Sequence, residues 1–375
     1  MTESLFERAR ASHLAGRTTE AEMLYNEAVA ADPRCFRAFN NLGTLLEGRG
    51  ALAEAEACYR RGLEVEPGAA LLHYNLGHVL HRRGHLEEAI EAYRAAAAIE
   101  AGREDVSFNL ARALLESGRE GEAPAVLEPW LARDPENATA RFLLAAFTGE
   151  APDRAPDAFV REHFDAFAAT FDTHLRSLDY RTPELLEKTL LRLYPEGAAL
   201  DLLDAGCGTG LCASRLSPFA RTLAGVDLSP AMLAKAETLG IYDRLVEAEL
   251  TAFLREEADA FDLIVSADTL VYFGDLAPPL DAAAGALRPG GRFLFTLECG
   301  SEPAYGLEAT GRYRHSRRYI EETASAAGLA PLLLESVVLR KEAGEPVSGW
   351  LVASELSPSP EAPPSSTQRK EYPAC

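Results

Sequence analysis

The chain has 375 residues, 47% hydrophobic and 25% charged, an ordinary globular usage that excludes wholesale disorder. Acids outnumber bases 58 to 37, a formal net charge of −21 that repels a phosphate backbone and excludes non-specific nucleic-acid binding. No apolar run reaches transmembrane length, the N-terminal MTESLFERARASHLAG lacks the apolar core of a signal peptide, and six cysteines without a CxxC pair fit a reduced, cytoplasmic chain with no membrane association.

From the N-terminus, small and aromatic residues recur every 34 positions. Gly16, Gly50, Gly84 and Gly118 form one series, and Ala21, Ala55, Ala89 and Ala123 a second. Tyr25, Tyr59, Tyr93 and Leu127 form a third, Pro33, Pro67, Ala101 and Pro135 a fourth. Leu42, Leu76 and Leu110, each preceded by asparagine (Asn41, Asn75, Asn109), form a fifth. Each unit reads as two short helices: Phe39, Leu42, Gly43 and Leu46 share one face, Gly50 supplies the turn, Ala55, Tyr59, Gly62 and Leu63 form the facing stripe, and Pro67 ends it. The small positions let the helices approach and the tyrosine fills the space beside them.

This pattern resembles the tetratricopeptide repeat. Four units with a capping helix over 138–147 give a repeat domain at 1–148. The resemblance implies a protein or peptide partner in a groove; a purely structural or oligomerising array is the alternative. The Pro-, Asp- and Gly-containing 149–157 reads as a linker, 158–356 as a second domain, and the Pro- and Ser-rich 357–375 as a disordered tail whose Cys375 has no assigned role.

Within the second domain, FVREHFDAFAATFDTHLRSLDYR (159–181) precedes the first strand. Phe164, Phe167 and Phe171 recur at helical spacing, and the two earlier rings read as a packed face. Apolar strands ALDLLDAG, TLAGVDLS, FDLIVSAD and GRFLFTLE then alternate with helical stretches, which argues for a parallel sheet covered on both faces. In such sheets ligands lie beyond the carboxyl ends of the strands. The first strand runs into Asp204-Ala205-Gly206-Cys207-Gly208-Thr209-Gly210, where alternating glycines allow a tight turn and close approach of a ligand to bare backbone. Residues 208–213 also satisfy a dinucleotide fingerprint with Asp227 downstream. Asp204 discriminates: a carboxylate there repels a pyrophosphate and suits a ligand with an ammonium group, such as S-adenosylmethionine (SAM). Asp227 ends the next strand and can accept hydrogen bonds from two ribose hydroxyls. Ser229 is an N-cap candidate, Leu228 and Met232 can pack on adenine, and Glu249 either accepts from the adenine amino group or is a surface glutamate.

At LLDAGCGTGL, GVDLS, AEL and LRPGGRFLFTLE the chain resembles the class I SAM-dependent methyltransferases over roughly 160–355. The resemblance implies a fold class of α + α/β: a tetratricopeptide α-solenoid followed by a Rossmann-like methyltransferase domain. The sheet is then seven-stranded and mostly parallel, ending in strands at 330–340 and 347–356. SAM is the implied cofactor, touched by Asp204, Gly206, Cys207, Gly208, Gly210, Asp227, Leu228, Met232 and Glu249. The N-terminal helix is implied as a lid, to which Phe171, Tyr180 and Arg181 belong.

Methyl transfer from a sulfonium mainly needs alignment, with a base only where the acceptor loses a proton. Asp268 can orient an acceptor or cap a helix. Tyr272 can stack on a planar acceptor or fill core space. In 300–322, Arg312, Arg314, His315, Arg317 and Arg318 form a basic patch that suits an anionic acceptor. His315 is the candidate base, Tyr305 a lesser candidate, and Arg317 and Arg318 read as partners of Glu321 and Glu322. No metal is implied, because His73, His78, His81 and His85 lack a completing cysteine or acidic set. The sequence leads to a SAM-dependent methyltransferase whose repeats recruit the acceptor or its carrier. A small-molecule O- or N-methyltransferase with repeats for oligomerisation, a non-catalytic SAM-binding adaptor and a nicotinamide oxidoreductase are its alternatives.

Overall fold

The computed structural model describes residues 4–301, 304–342 and 344–357; the expectation for the tail therefore lies outside the described residues from 358 onward. The chain divides into two compact units, Met1–Thr148 and Gly149–Cys375. Among the described residues no helix is long and apolar enough to cross a membrane.

The first unit is a run of helices: α1 (Leu5–Leu14), α2 (Thr18–Ala31), α3 (Phe36–Gly48), α4 (Leu52–Val65), α5 (Ala70–Arg82), α6 (Leu86–Ile99), α7 (Glu104–Glu116), α8 (Ala123–Arg133) and α9 (Ala138–Thr148). The glycine series sits in the turns within pairs, where φ is 73° at Gly16, 83° at Gly50, 77° at Gly84 and 73° at Gly118, a left-handed backbone that favours glycine. The tyrosines of the third series are fully buried. A Cβ added at Gly43 would lie 2.5 Å from the Tyr59 ring, and one at Gly77 2.7 Å from Tyr93. The repeating asparagines reach the preceding pair: Asn41 Nδ2 donates to Tyr25 Oη at 3.1 Å and Asn75 Nδ2 to Asn40 Oδ1 at 2.9 Å. His78 of α5 pairs with Glu47 at 2.6 Å, and the buried His81 with Glu116 at 2.8 Å.

The second unit opens with α10 (Asp157–Phe167), α11 (Phe171–Ser177) and α12 (Thr182–Leu193). There follow β1 (Leu200–Ala205), α13 (Ala213–Leu216), β2 (Ala220–Asp227), α14 (Pro230–Glu237), β3 (Arg244–Glu247), α15 (Leu250–Glu256), β4 (Phe261–Ser266), α16 (Ala277–Ala286) and β5 (Leu287–Cys299). The chain finishes with β6 (Tyr305–Leu307), β7 (Tyr313–His315), α17 (Arg317–Ala326), β8 (Leu329–Glu342) and β9 (Glu345–Leu356). β3-β2-β1-β4-β5 are parallel, β9 runs antiparallel beside β5, and β8 antiparallel beside β9. Side chains alternate between faces. Leu203, Ala205, Ile264, Phe293 and Phe295 enter one buried cluster, while Leu202, Leu263, Val265 and Leu294 enter the other.

Among the described residues the seven implied strands are present, and β6 and β7 bring the sheet to nine. Glu298 pairs with Gly349 of β9 and also with Arg314 of β7, so β7 lies on the opposite edge of β5, beyond the last β4 pair, Ser266 with Phe295. The β6–β7 hairpin thus extends the sheet past the carboxyl end of β4. Two three-residue strands carry too little alternation to be seen in the sequence.

The stretch 149–157, expected as a linker, is tied down at residues 152–155. Ala155 N donates to Tyr272 O, and Gly274 N and Asp275 N both donate to Asp153 O, each at 2.8 Å; Tyr313 Oη donates to Pro152 O at 2.7 Å. Arg154 forms a β-bridge with Phe273. Polar, Pro-rich composition marked a segment without its own periodicity, and its order comes from backbone bonds to a distant loop.

Candidate active site

A cavity opens at the carboxyl ends of β1, β2, β3 and β4, roofed by α10 and α11. Its wall includes Gly206, Gly208, Asp227, Leu228 and Glu249 on one side, and Tyr180, Asp268, Tyr272 and Arg312 on the other.

The glycine turn is left-handed at Gly206, Gly208 and Gly210, with φ of 79°, 55° and 85°. At Gly206 a Cβ would lie 2.0 Å from Thr269 Oγ1, so bare backbone is needed for packing. At Gly208 it would meet only the Phe171 ring, at 3.9 Å, so this residue presents open main chain to the cavity. Asp227 fixes the turn: Oδ2 accepts from Gly208 N at 2.8 Å and Oδ1 from Ser229 N at 2.9 Å. Burial raises its carboxyl pKa, against these backbone bonds. Ser229 caps α14, accepting from Met232 N at 3.1 Å. Glu249 caps α15: Oε1 accepts from Thr251 N at 3.0 Å and Oε2 from Ala252 N at 2.8 Å. Each of the two carboxylates keeps unused lone pairs, since a carboxylate offers about four acceptor positions. Bare backbone at Gly208 between two such acid groups fits an adenosyl group, with Asp227 for its ribose and Glu249 for its adenine amino group.

Several expected contacts lie elsewhere. Asp204 is buried off the cavity wall, accepting from Tyr242 Oη at 2.7 Å. Burial pushes its carboxyl up to about 7, so it does not offer a preformed charge to an ammonium group. Cys207 and Met232 are buried and Gly210 packs against Leu239 and Tyr242, all three outside the wall. Arg181 is exposed, held by its own backbone N–H to Leu339 O at 2.8 Å. His315 is fully buried, outside the wall, stacked on Tyr319 and 3.2 Å from Gly274 O through Nε2. Burial lowers its pKa to about 4, which makes it a neutral packing group rather than a base facing an acceptor. The alternation of β7 explains this: Tyr313 and His315 turn inward while Arg314 turns to solvent, near Glu298 and Glu308. Tyr305 packs beside Tyr313, His315 and Tyr319.

Asp268 lines the cavity with a left-handed backbone, φ 53°. Thr182 donates to its Oδ2 at 3.1 Å and Thr296 to its Oδ1 at 2.6 Å. Burial, and then the nearby Asp268 carboxylate, raise the pKa of the Tyr180 phenol well above its ordinary value. A non-glycine residue held this way is costly and is retained where neighbours over-determine it. Arg312 Nη1 sits 2.9 Å from Glu342 and 3.5 Å from Glu298, and the buried Arg340 bonds the same two acids. Arg317 and Arg318 pair with Glu321 and Glu322 as expected from spacing.

The roof differs from its sequence reading. Phe164 and Phe167 face the cavity with Phe171, and Phe164 meets Tyr272 edge-on with centroids 5.6 Å apart. Thr209 Oγ1 donates to Asp172 at 2.6 Å and Ser229 Oγ to Asp165 at 2.5 Å, tying both roof helices to the cofactor side. Arg154, Asp157, His163, His174 and Arg340 also line the wall and were missed. Only the i, i+4 spacing of His163 and Phe167 hinted at one of them; the others carry no local signal.

Asp204→Asn tests its assignment. A carboxyl whose folded pKa, about 7, exceeds its ordinary 3.8 is protonated mainly in the folded state between those values, so its contribution falls as pH rises through that window. The variant keeps an acceptor for Tyr242 and is expected to be more stable than the parent at pH 8, by a few kcal/mol at most. The two should converge near pH 4 in urea titrations. A constant difference across pH refutes the buried-acid reading.

A methyltransferase-domain family matches residues 203–295, and tetratricopeptide-repeat families match 15–64, 40–105 and 80–147. The chain is 33% identical over 196 residues to malonyl-[acyl-carrier protein] O-methyltransferase of Hahella chejuensis, covering 48% of this chain and 67% of that protein. It is 27% identical over 164 residues to ubiquinone biosynthesis O-methyltransferase of Xanthomonas axonopodis pv. citri, covering 41% and 67%. A solved SAM-dependent methyltransferase from Mesorhizobium loti is 24% identical, covering 45% of this chain and 96% of that one, with a TM-score of 0.34. Glycine turn, acid pair and family match agree: the chain belongs to the SAM-dependent methyltransferases, uses SAM as cofactor, and carries tetratricopeptide repeats ahead of that domain.

Proposed function

We propose that the enzyme methylates an acceptor placed between the roof helices and the Asp268–Tyr272 segment, and that the repeats recruit the protein or peptide that is, or carries, this acceptor. The observation that carries the reading is one continuous wall, with Gly208, Asp227 and Glu249 at one side and Tyr180, Asp268, Tyr272 and Arg312 at the other. SAM, when bound, supplies a methyl group on a good leaving group. The chain's own task is then alignment and exclusion of water. The aromatic roof shields the cavity, Tyr272 offers a face for a planar group, and Asp268, fixed by two threonines, offers a hydrogen-bond acceptor. Arg312 offers guanidinium N–H donors to an anionic acceptor, its charge and that of Arg340 being balanced by Glu298 and Glu342.

A second reading, a small-molecule O-methyltransferase whose repeats serve oligomerisation, is favoured by the likeness to ubiquinone biosynthesis O-methyltransferase and by the apolar, aromatic roof. Incubation of the full chain with methyl-labelled SAM and a size-fractionated lysate separates the two, with Asp227→Ala as the blank. Label in macromolecules supports recruitment, and label confined to small metabolites supports the second reading. SAM binding without label transfer anywhere leaves a non-catalytic adaptor.

A further inference from the structure

We propose that Arg154, in the strap that follows the repeats, is a positioning residue for the cofactor: it holds the Glu249 carboxylate in the orientation that reads the adenine amino group. The proposal rests on the assignment of SAM to this cavity and names a part of the site beyond the methyltransferase motifs.

α9 ends at Thr148, and Arg154 follows six residues later. The strap is fixed on both sides of it. Pro152 O and Asp153 O accept from Tyr313, Gly274 and Asp275, and Ala155 N donates to Tyr272 O. This leaves the Arg154 side chain a narrow choice of directions. Its guanidinium lies over the Phe273 ring, 5.4 Å from the centroid, and pairs with Asp157 and with Glu249, whose Oε1 is 3.1 Å from Nη1. Arg154 is the one cation that pairs with Glu249 among the described residues. The Glu249 side chain is only 18% exposed, and both residues line the cavity.

The bonds at Glu249 divide the work. Oε1 accepts from Thr251 N and lies 3.1 Å from the Arg154 guanidinium as an ion pair, and Oε2 accepts from Ala252 N alone. One lone pair of Oε2 therefore remains for a donor in the cavity, and an amino group is the matching chemistry. The cap bonds fix where the carboxylate sits. The guanidinium, paired with the oxygen the ligand does not use, supports the rotation the two cap bonds set and keeps the charge balanced in a half-buried setting. A ligand presenting a carbonyl where adenine has its amino group would meet lone pair against lone pair and be rejected.

The test uses the full chain, with S-adenosylhomocysteine and its inosine analogue as probes in calorimetric titrations. The parent is expected to prefer the adenine compound by about tenfold or more, the equivalent of one charge-assisted hydrogen bond. Arg154→Gln should weaken the adenine compound about tenfold and bring the ratio of the two affinities close to one. Arg154→Lys should restore part of the preference, and Arg192→Gln, at the surface pair with Glu335, should leave it intact. A loss of folding would lower both affinities together; a change of their ratio reports the carboxylate. An unaltered ratio in Arg154→Gln overturns the proposal. A parent that binds S-adenosylhomocysteine without preference overturns it while leaving the cofactor assignment standing, and a parent that binds neither compound removes both.

Discussion

Asp227→Ala is expected to reduce affinity for S-adenosylhomocysteine about 100-fold, the largest single effect in the site. The carboxylate is the place where backbone and ligand chemistry meet: it accepts from Gly208 N and Ser229 N and has lone pairs left for two ribose hydroxyls. Hydrogen bonds to a charged acceptor contribute about 1.5–3 kcal/mol each, so losing two removes roughly 3 kcal/mol or more of binding. The substitution also releases the glycine turn, because the Gly208 and Ser229 amides lose their common anchor. Asp227→Asn retains one oxygen acceptor and should fall between parent and alanine. Isothermal calorimetry decides it: affinity within twofold of the parent for Asp227→Ala would take the ribose away from this carboxylate, while a large loss at constant melting temperature locates the effect in binding.

The second large effect concerns stability of the repeats. Gly77→Ala is expected to destabilise the first unit by about 2 kcal/mol and lower its midpoint by several degrees. The sign is diagnostic. In an exposed helix interior, glycine to alanine stabilises by about 1 kcal/mol. Here the new Cβ would lie 2.7 Å from the fully buried Tyr93 ring, closer than any packed core tolerates. The corresponding positions in the fourth pair are Ala111 and Leu127, so this chain already contains the compensated combination. Gly77→Ala with Tyr93→Leu should therefore be less destabilised than the two single changes added together, by a margin read in urea titrations of helical signal. Simple additivity would mean that the glycine and the tyrosine do not share one space.

The repeats and the glycine turn were legible because each rests on local rules. A 34-residue period puts glycine where the backbone turns left-handed, and the structure has Gly16, Gly50, Gly84 and Gly118 there. Alternating glycines after a buried strand, followed by Asp227 at the next strand end, identify a cofactor turn in the same way. Illegible were the features created by distant contacts. Arg154 belongs to a stretch that looks like a linker, and only bonds to 272–275 and to Glu249 make it part of the wall. Arg340 lies in a strand whose sequence does not tell that two glutamates await it. Phe164 and Phe167 have the spacing of a packed face, and whether such a face meets core or cavity is decided by what lies opposite. His315 and Arg314 show the limit of composition: a basic cluster in sequence becomes one buried neutral ring and one solvent-facing guanidinium once β7 assigns alternate residues to opposite faces.

The order of residues along the chain was therefore sufficient for the repeats and the glycine turn, and the resemblance to the methyltransferases for the cofactor, since helical repeats and a strand–glycine–acid sequence are set by backbone conformation and by spacing within a few turns. Which acids and bases face the methyl-transfer cavity was decided only by the tertiary fold. Burial converts Asp204 and His315 into internal groups, and long-range backbone pairing delivers Arg154 and Arg340 to the wall. Such outcomes depend on the dielectric and the partners that the rest of the molecule brings to each side chain, and no stretch of sequence carries that information locally.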